Sequence, residues 1–156
     1  MVQCRNIKTP CNGNFINQLN AHGSAIDKHL FQQAMGYLNY LAQHTRPDIL
    51  FTINQLARCS TNPNVNHWKM VKHLLRYVHC TKKLGILFNK SNSGTILHGW
   101  ADADYANFKD DRKSISGNLV TVYGNPISWL SKKQSIIAQS TTKAEYVSMN
   151  VCAKQV

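Results

Sequence analysis

Carboxylates are scarce in this chain of 156 residues: 7 Asp and Glu stand against 18 Lys and Arg, leaving a formal net charge of +11, and Glu145 is the only glutamate. So one-sided a balance disfavours an acidic or neutral small molecule as the main partner and points to a polyanion, with nucleic acid leading. No run of about 18 apolar residues is present to span a bilayer, and Met1-Val2-Gln3-Cys4-Arg5-Asn6 lacks the apolar stretch of a signal peptide. The expected setting is intracellular, cytoplasmic or nuclear, with no membrane partner. The 5 cysteines are odd in number, irregularly spaced and without a C-x-x-C pair, which fits neither a disulfide framework nor a zinc module. Reduced, mostly buried thiols are expected. His67, His73 and His79 step by six residues, about 240° around a helix, so neighbours in that series do not share a face. They are expected to be solvated or bonded to backbone. Core formers are not lacking: 43% hydrophobic residues with 8 Gly and 4 Pro exclude disorder and collagen-like repeats. The length suits one compact domain or two small lobes and excludes a multi-domain enzyme.

Residues 1–24 are rich in Asn, Gly and Ser and hold no sustained period, so they read as an extended lead-in, one expected to have begun inside a larger protein. From Asp27 to Gln43, Leu30, Phe31, Ala34, Met35, Leu38, Leu41 and Ala42 recur at steps of three and four, an amphipathic helix. Thr45-Arg46-Pro47-Asp48 announces a second helix, with Pro47 in its first turn and Asp48 at the positive end of its dipole; Asn62-Pro63 is expected to end it. A third runs through Trp68, Val71, Leu74, Leu75 and Val78, with Lys69, Lys72, His73 and Arg76 mainly on other faces. After Lys83 the period changes. Leu84–Phe88 and Thr95–Ala103, joined by a turn cluster at Asn89–Gly94, read as one hairpin, and Gly117–Tyr123 with Pro126–Leu130, flanking Gly124-Asn125, as a second. Thr141–Lys154 returns to helical spacing behind Ser140 as N-cap. The order is three helices, then strands, then one helix: an α+β chain with a helical segment at 25–83 and a strand-rich one at 84–156.

Residues 1–95 hold 11 Lys and Arg against Asp27 and Asp48, whereas residues 96–156 hold 7 against Asp102, Asp104, Asp110, Asp111 and Glu145. Basic grip and acidic chemistry are thus expected in different halves. Lys69, Lys72, Arg76, Lys82, Lys83, Lys132 and Lys133 are the candidate phosphate contacts; a solvated surface is the alternative reading. Asp102 and Asp104 are two apart in Trp100-Ala101-Asp102-Ala103-Asp104-Tyr105, so on a strand they share a face about 6–7 Å apart. Such a pair suits a hard divalent cation, and equally a strand end whose acids face water. Asp110 and Asp111, beside Arg112 and Lys113, are expected in a turn with local ion pairing. Trp100, Trp129 and Tyr105 are expected in the core, with base stacking as the alternative.

Four motifs in order then carry a resemblance: Trp100-Ala101-Asp102-Ala103-Asp104-Tyr105-Ala106, Asp110-Asp111-Arg112-Lys113-Ser114-Ile115-Ser116-Gly117, Ile127-Ser128-Trp129-Leu130-Ser131-Lys132-Lys133-Gln134, and Ser140-Thr141-Thr142-Lys143-Ala144-Glu145-Tyr146. Together they resemble the ribonuclease H region of copia-type LTR retrotransposon Pol polyproteins. The front half is similar to the reverse-transcriptase tail that precedes it, through Gly36-Tyr37-Leu38-Asn39-Tyr40-Leu41, Thr45-Arg46-Pro47-Asp48-Ile49, His67-Trp68, Leu75-Arg76-Tyr77-Val78 and Thr81-Lys82-Lys83-Leu84-Gly85.

The resemblance implies a small helical bundle followed by a truncated ribonuclease H-like mixed sheet with one helix. It implies hydrolysis of the RNA strand of an RNA–DNA hybrid with two Mg²⁺ ions. Asp102 matches the strand aspartate and Glu145 the helix glutamate, with Asp104 as an accessory ligand; partners would be the hybrid and the rest of the Pol polyprotein. Two departures are visible. Lys143 stands where the family usually has the first glutamate of Ser-Thr-Glu-Ala-Glu, about 200° around the helix from Glu145. No residue matches the family's next catalytic aspartate beyond the helix, so the implied metal site is incomplete and this chain is expected to be inactive or weakly active. The polymerase Y-x-D-D motif is absent as well, and no polymerisation is expected.

Overall fold

The computed structural model describes residues 7–13, 15–90, 96–106 and 111–156; Cys4, Asp110 and most of the expected turn at Asn89–Gly94 lie outside them. The chain divides into two compact units, Met1–Gly85 and Ile86–Val156.

The first unit is helical: α1 Phe15–Leu19, α2 Lys28–His44, a 3₁₀ turn at Pro47–Ile49, α3 Leu50–Ala57 and α4 Val65–Cys80. Asp27 caps α2, its carboxylate accepting from the backbone N–H groups of His29 and Leu30. Phe31, Met35, Leu38 and Ala42, spaced by four, three and four, are the buried stripe of α2. They share a core with Ile49, Ile53, Leu56, Val71 and Leu74, all essentially without exposed surface in the other elements. Helix α4 opens on a capping box: Asn64 accepts from the His67 N–H, and the His67 ring accepts from the Asn64 N–H. The expected α3 is shorter than the sequence suggests. It stops at Ala57, after which Cys59 and Ser60 donate three residues back, the tightening typical of a helix end. The lead-in is not wholly extended either: Phe15–Leu19 forms a helix because Phe15 is buried against Phe51 at 6.4 Å, and Ala25 bridges to Asn64.

The second unit is a three-stranded sheet, β1 Leu97–Asp104, β2 Ile115–Val122 and β3 Asn125–Lys133, in the order β1-β2-β3, followed by α5 Thr141–Ala153. Both pairings are antiparallel, and the parallel pair that a mixed sheet would add does not occur among the described strands. Parallel neighbours need a crossover of a dozen or more residues, and these strands are joined by short links. The first expected hairpin is corrected: residues 84–90 form no strand, Leu84, Leu87 and Phe88 are exposed, and β1 pairs with β2 instead. An apolar run without alternation carries no register. The β2–β3 turn falls at Tyr123-Gly124, with φ of 48° and 78°, the doubly positive geometry of a type I′ hairpin. That is one residue earlier than the Gly124-Asn125 pair suggests.

Ser140 caps α5 by accepting from the Lys143 N–H at 3.2 Å. Ala144, Ser148 and Cys152, four apart, are its buried face. Of the described cysteines, Cys11, Cys59 and Cys80 are half-buried and only Cys152 is buried, so the expectation of mostly buried thiols is not met.

Candidate functional site

Helix α5 is fastened to the sheet by polar groups. The Ser148 hydroxyl, fully buried, donates to the Asp102 carbonyl oxygen at 2.6 Å. With its nitrogen facing Ser148, the Asn118 amide donates to Ser148 Oγ at 2.9 Å and to the Gly117 carbonyl at 2.7 Å. Its oxygen then accepts from the Cys152 N–H at 3.1 Å. Gln134 donates to Ser116 Oγ and to the Ala144 carbonyl. Where these groups meet, bulk is excluded: a Cβ on Gly99 would lie 2.8 Å from Cys152 Sγ.

These contacts fix which side of the sheet α5 covers. Gly99 lies beneath Cys152, Ala101 pairs with Asn118 and Ala103 with Ser116, so alternation sends Trp100, Asp102 and Asp104 to the other face. Asp102 and Asp104 are exposed there. Trp100 is 58% exposed, its ring 4.5 Å from that of His98, and Tyr105 is exposed at 36%. The expectation of core packing is therefore corrected for both, while Trp129 is half-buried. Glu145 is half-buried one turn before Ser148, at the flank of the buried face of α5, and Lys143 projects from the far side, donating to Gln139 at 2.6 Å. Asp102 thus meets the α5 helix through its backbone. Among the described residues no three His, Cys, Asp or Glu side chains cluster closely enough to hold a metal ion.

The expected phosphate contacts are distributed over both units. Lys69, Lys72 and Arg76 are exposed on α4, Lys82 and Lys83 follow it, and Lys132 is exposed on β3. Lys133 is half-buried and forms a salt bridge with Asp111. The Lys133 hydrogen bond holds the Asp111 carboxyl below its ordinary value, helped by the Lys113 N–H. Asp111 is in a turn, but its ion pair is with Lys133 of β3, and from its neighbour Lys113 it accepts the backbone N–H. His67 is bonded to backbone as expected. Its Nε2–H donates to the Leu19 carbonyl at 2.9 Å and its Nδ1 accepts from the Asn64 N–H.

One cluster in the helical unit is not foreseeable from residue order. The Arg46 guanidinium, buried, binds the Asp48 carboxylate through two nitrogens at 2.9 and 2.7 Å, and bonds Thr81 Oγ1 at 2.7 Å. The Tyr77 hydroxyl donates to the same carboxylate at 2.7 Å, and the Arg46 charge lies 5.4 Å from the Tyr77 ring centre. Burial alone would raise the Asp48 carboxyl, but the hydrogen bonds from Arg46 and Tyr77 overcome it and hold the group below its ordinary value. The Asp48 hydrogen bond raises Arg46; burial, then Asp48, raises Tyr77. The signal is present as three separate sequence motifs, at 45–49, 75–78 and 81–85, whose meeting point only the fold reveals.

An antiparallel sheet with a serine-fastened helix, preceded in the chain by a basic helical unit, defines a protein of α+β class with one charge sign dominant. Comparison with known proteins gives it a family. The chain is 41% identical over 125 residues to the retrovirus-related Pol polyprotein from transposon TNT 1-94 of Nicotiana tabacum. It is 40% identical over 119 residues to that from transposon RE2 of Arabidopsis thaliana. Those matches cover 80% and 76% of this chain but 9% and 8% of the relatives' length. It is also 33% identical over 125 residues to the secreted RxLR effector protein 161 of Plasmopara viticola, covering 87% of that protein. No family model and no solved structure matches. The chain belongs to the copia-type retrotransposon Pol polyproteins. No described helix is long and apolar enough to cross a membrane.

Proposed function

We propose that this chain is a nucleic-acid-binding segment of a retrotransposon Pol polyprotein, that it grips an RNA–DNA hybrid, and that it does not cut the hybrid by itself. Cleavage of the RNA strand belongs to the intact polyprotein, to which this segment supplies Asp102 and Glu145. The observation that carries the reading is the landing of four ordered motifs: on β1, on the entry to β2, on β3 and on the first turns of α5. The net charge of +11 adds to it.

The resemblance implies two magnesium ions, and the donor set among the described residues does not fit them. Asp102, Asp104 and Glu145 form no three-ligand group among the described residues, whereas two ions held side by side need carboxylates that converge on them, with water and phosphate oxygens completing each shell. Binding without cutting follows for the segment alone. The test incubates the chain with a labelled RNA–DNA hybrid and Mg²⁺ beside Asp102→Asn and Glu145→Gln variants. Retention that falls with salt, without cleavage in any of the three, is the expected result. Cleavage by the unaltered chain that both substitutions abolish would overturn the division of labour proposed here, and failure to retain the hybrid would overturn the binding reading.

A further inference from the structure

One cavity in the Met1–Gly85 unit is shaped for a smaller anionic group than a duplex. It holds about 250 Å³ between α4 and the Pro10–Asn12 stretch that leads into α1. One wall is Lys69, Lys72, His73 and Arg76, spaced i, i+3, i+4 and i+7 and so stacked on one stripe of the helix. Its floor is apolar, with Phe15 and Met70 both buried, and Asn12 and Gln18 bring side-chain amides to the lining. The His73 Nε2–H donates to the Thr9 carbonyl at 3.0 Å, which ties the wall to the segment facing it.

Among the described residues no carboxylate lines this cavity. The unit's two acids are committed elsewhere, Asp27 to the cap of α2 and Asp48 to Arg46 and Tyr77. Neither of the salt bridges among the described residues involves Lys69, Lys72 or Arg76. Like charges three and four apart on a helix repel one another. An anion seated against the stripe removes that cost.

We propose that the cavity seats the terminal phosphate monoester of a nucleic-acid strand, with the attached sugar on the apolar floor. The inference rests on the nucleic-acid reading above and names one subsite within it. Three permanent cations are more nearly balanced by the roughly −1.5 to −2 of a monoester at neutral pH than by the single charge of a backbone diester. The volume is below the roughly 300–1,000 Å³ of pockets for drug-sized ligands, which suits a phosphate and sugar and excludes a base pair.

The experiment compares binding of the full chain to one RNA–DNA hybrid phosphorylated at its 5′ ends, at its 3′ ends or at neither, by fluorescence anisotropy at fixed salt. A phosphorylated end is expected to bind about tenfold tighter than the hydroxyl end, one extra charge-assisted contact. That preference should fall below about twofold in a Lys72→Gln/Arg76→Gln double variant, both positions being exposed. Equal binding of all three hybrids by the unaltered chain, with ordinary salt sensitivity, overturns the subsite while leaving the hybrid reading intact. If no hybrid binds, a 5′-phosphorylated mononucleotide separates the two ideas: binding that the double variant loses supports the cavity alone, and no binding overturns both.

Discussion

The Ser148 hydroxyl of α5 donates to the carbonyl oxygen of Asp102 at 2.6 Å, so the strand position bearing the candidate aspartate is tied to the helix turn that follows Glu145. A buried hydroxyl with a 2.6 Å acceptor and an amide donor leaves two unsatisfied groups when it is removed. Ser148→Ala is therefore expected to cost about 1–2 kcal/mol, read as a lower urea midpoint with unchanged slope. An unchanged midpoint would show that α5 is held by its apolar contacts alone.

Gly99 makes a second prediction about the same contact. A methyl group there would meet Cys152 Sγ at 2.8 Å, and Cys152 is itself buried and directed at the Trp100 carbonyl. Overpacking of this kind costs about 1–3 kcal/mol. Gly99→Ala should lower the melting temperature, and Gly99→Ala combined with Cys152→Ser or Cys152→Ala should recover part of the loss.

The Arg46–Asp48–Tyr77 cluster predicts acid sensitivity with a definite sign. Asp48 is held below its ordinary value in the folded unit, so it contributes stability above the unfolded carboxyl value of about 3.9. That contribution is lost as pH falls through the lower folded value. Asp48→Asn should lower stability at pH 7 by about 2 kcal/mol, the scale for a hydrogen bond to a charged group, and should flatten the pH dependence below about pH 4. Tyr77→Phe removes one hydrogen bond to that carboxylate and should cost about 1.5–2 kcal/mol at neutral pH, read by the same urea titration.

Salt dependence reports on the exposed cations. Replacing Lys82 and Lys83 by Gln should reduce the log–log slope of hybrid binding by about 1 for each phosphate that is no longer neutralised. Lys133→Gln should change it less, because Asp111 already neutralises that charge. Equal effects at both sites would mean that the Asp111 pair opens on binding.

The helices are legible where apolar spacing is regular and caps are local. Asp27, Asn64 and Ser140 act within three residues of themselves, and the stripes of α2 and α4 follow directly from steps of three and four. Strand pairing is less legible because it is non-local. Leu84–Phe88 looks as β-prone as Leu97–Asp104, and only the second run has a partner with matching alternation in β2. Trp100 misleads for the same reason: aromatic size suggests burial, but which face α5 covers is decided by Gly99, Asn118 and Ser148, residues far apart in the chain. The carboxylate motif can be found from residue order, whereas the face each carboxylate occupies cannot.

The most direct test follows RNA-strand cleavage by the intact polyprotein carrying Asp102→Asn or Glu145→Gln, with hybrid binding measured in parallel. If these two carboxylates are this segment's contribution to the chemistry, each substitution lowers the cleavage rate by roughly 10² or more while the dissociation constant for hybrid stays within a few-fold. Cleavage that proceeds at the unaltered rate in both variants would contradict that assignment.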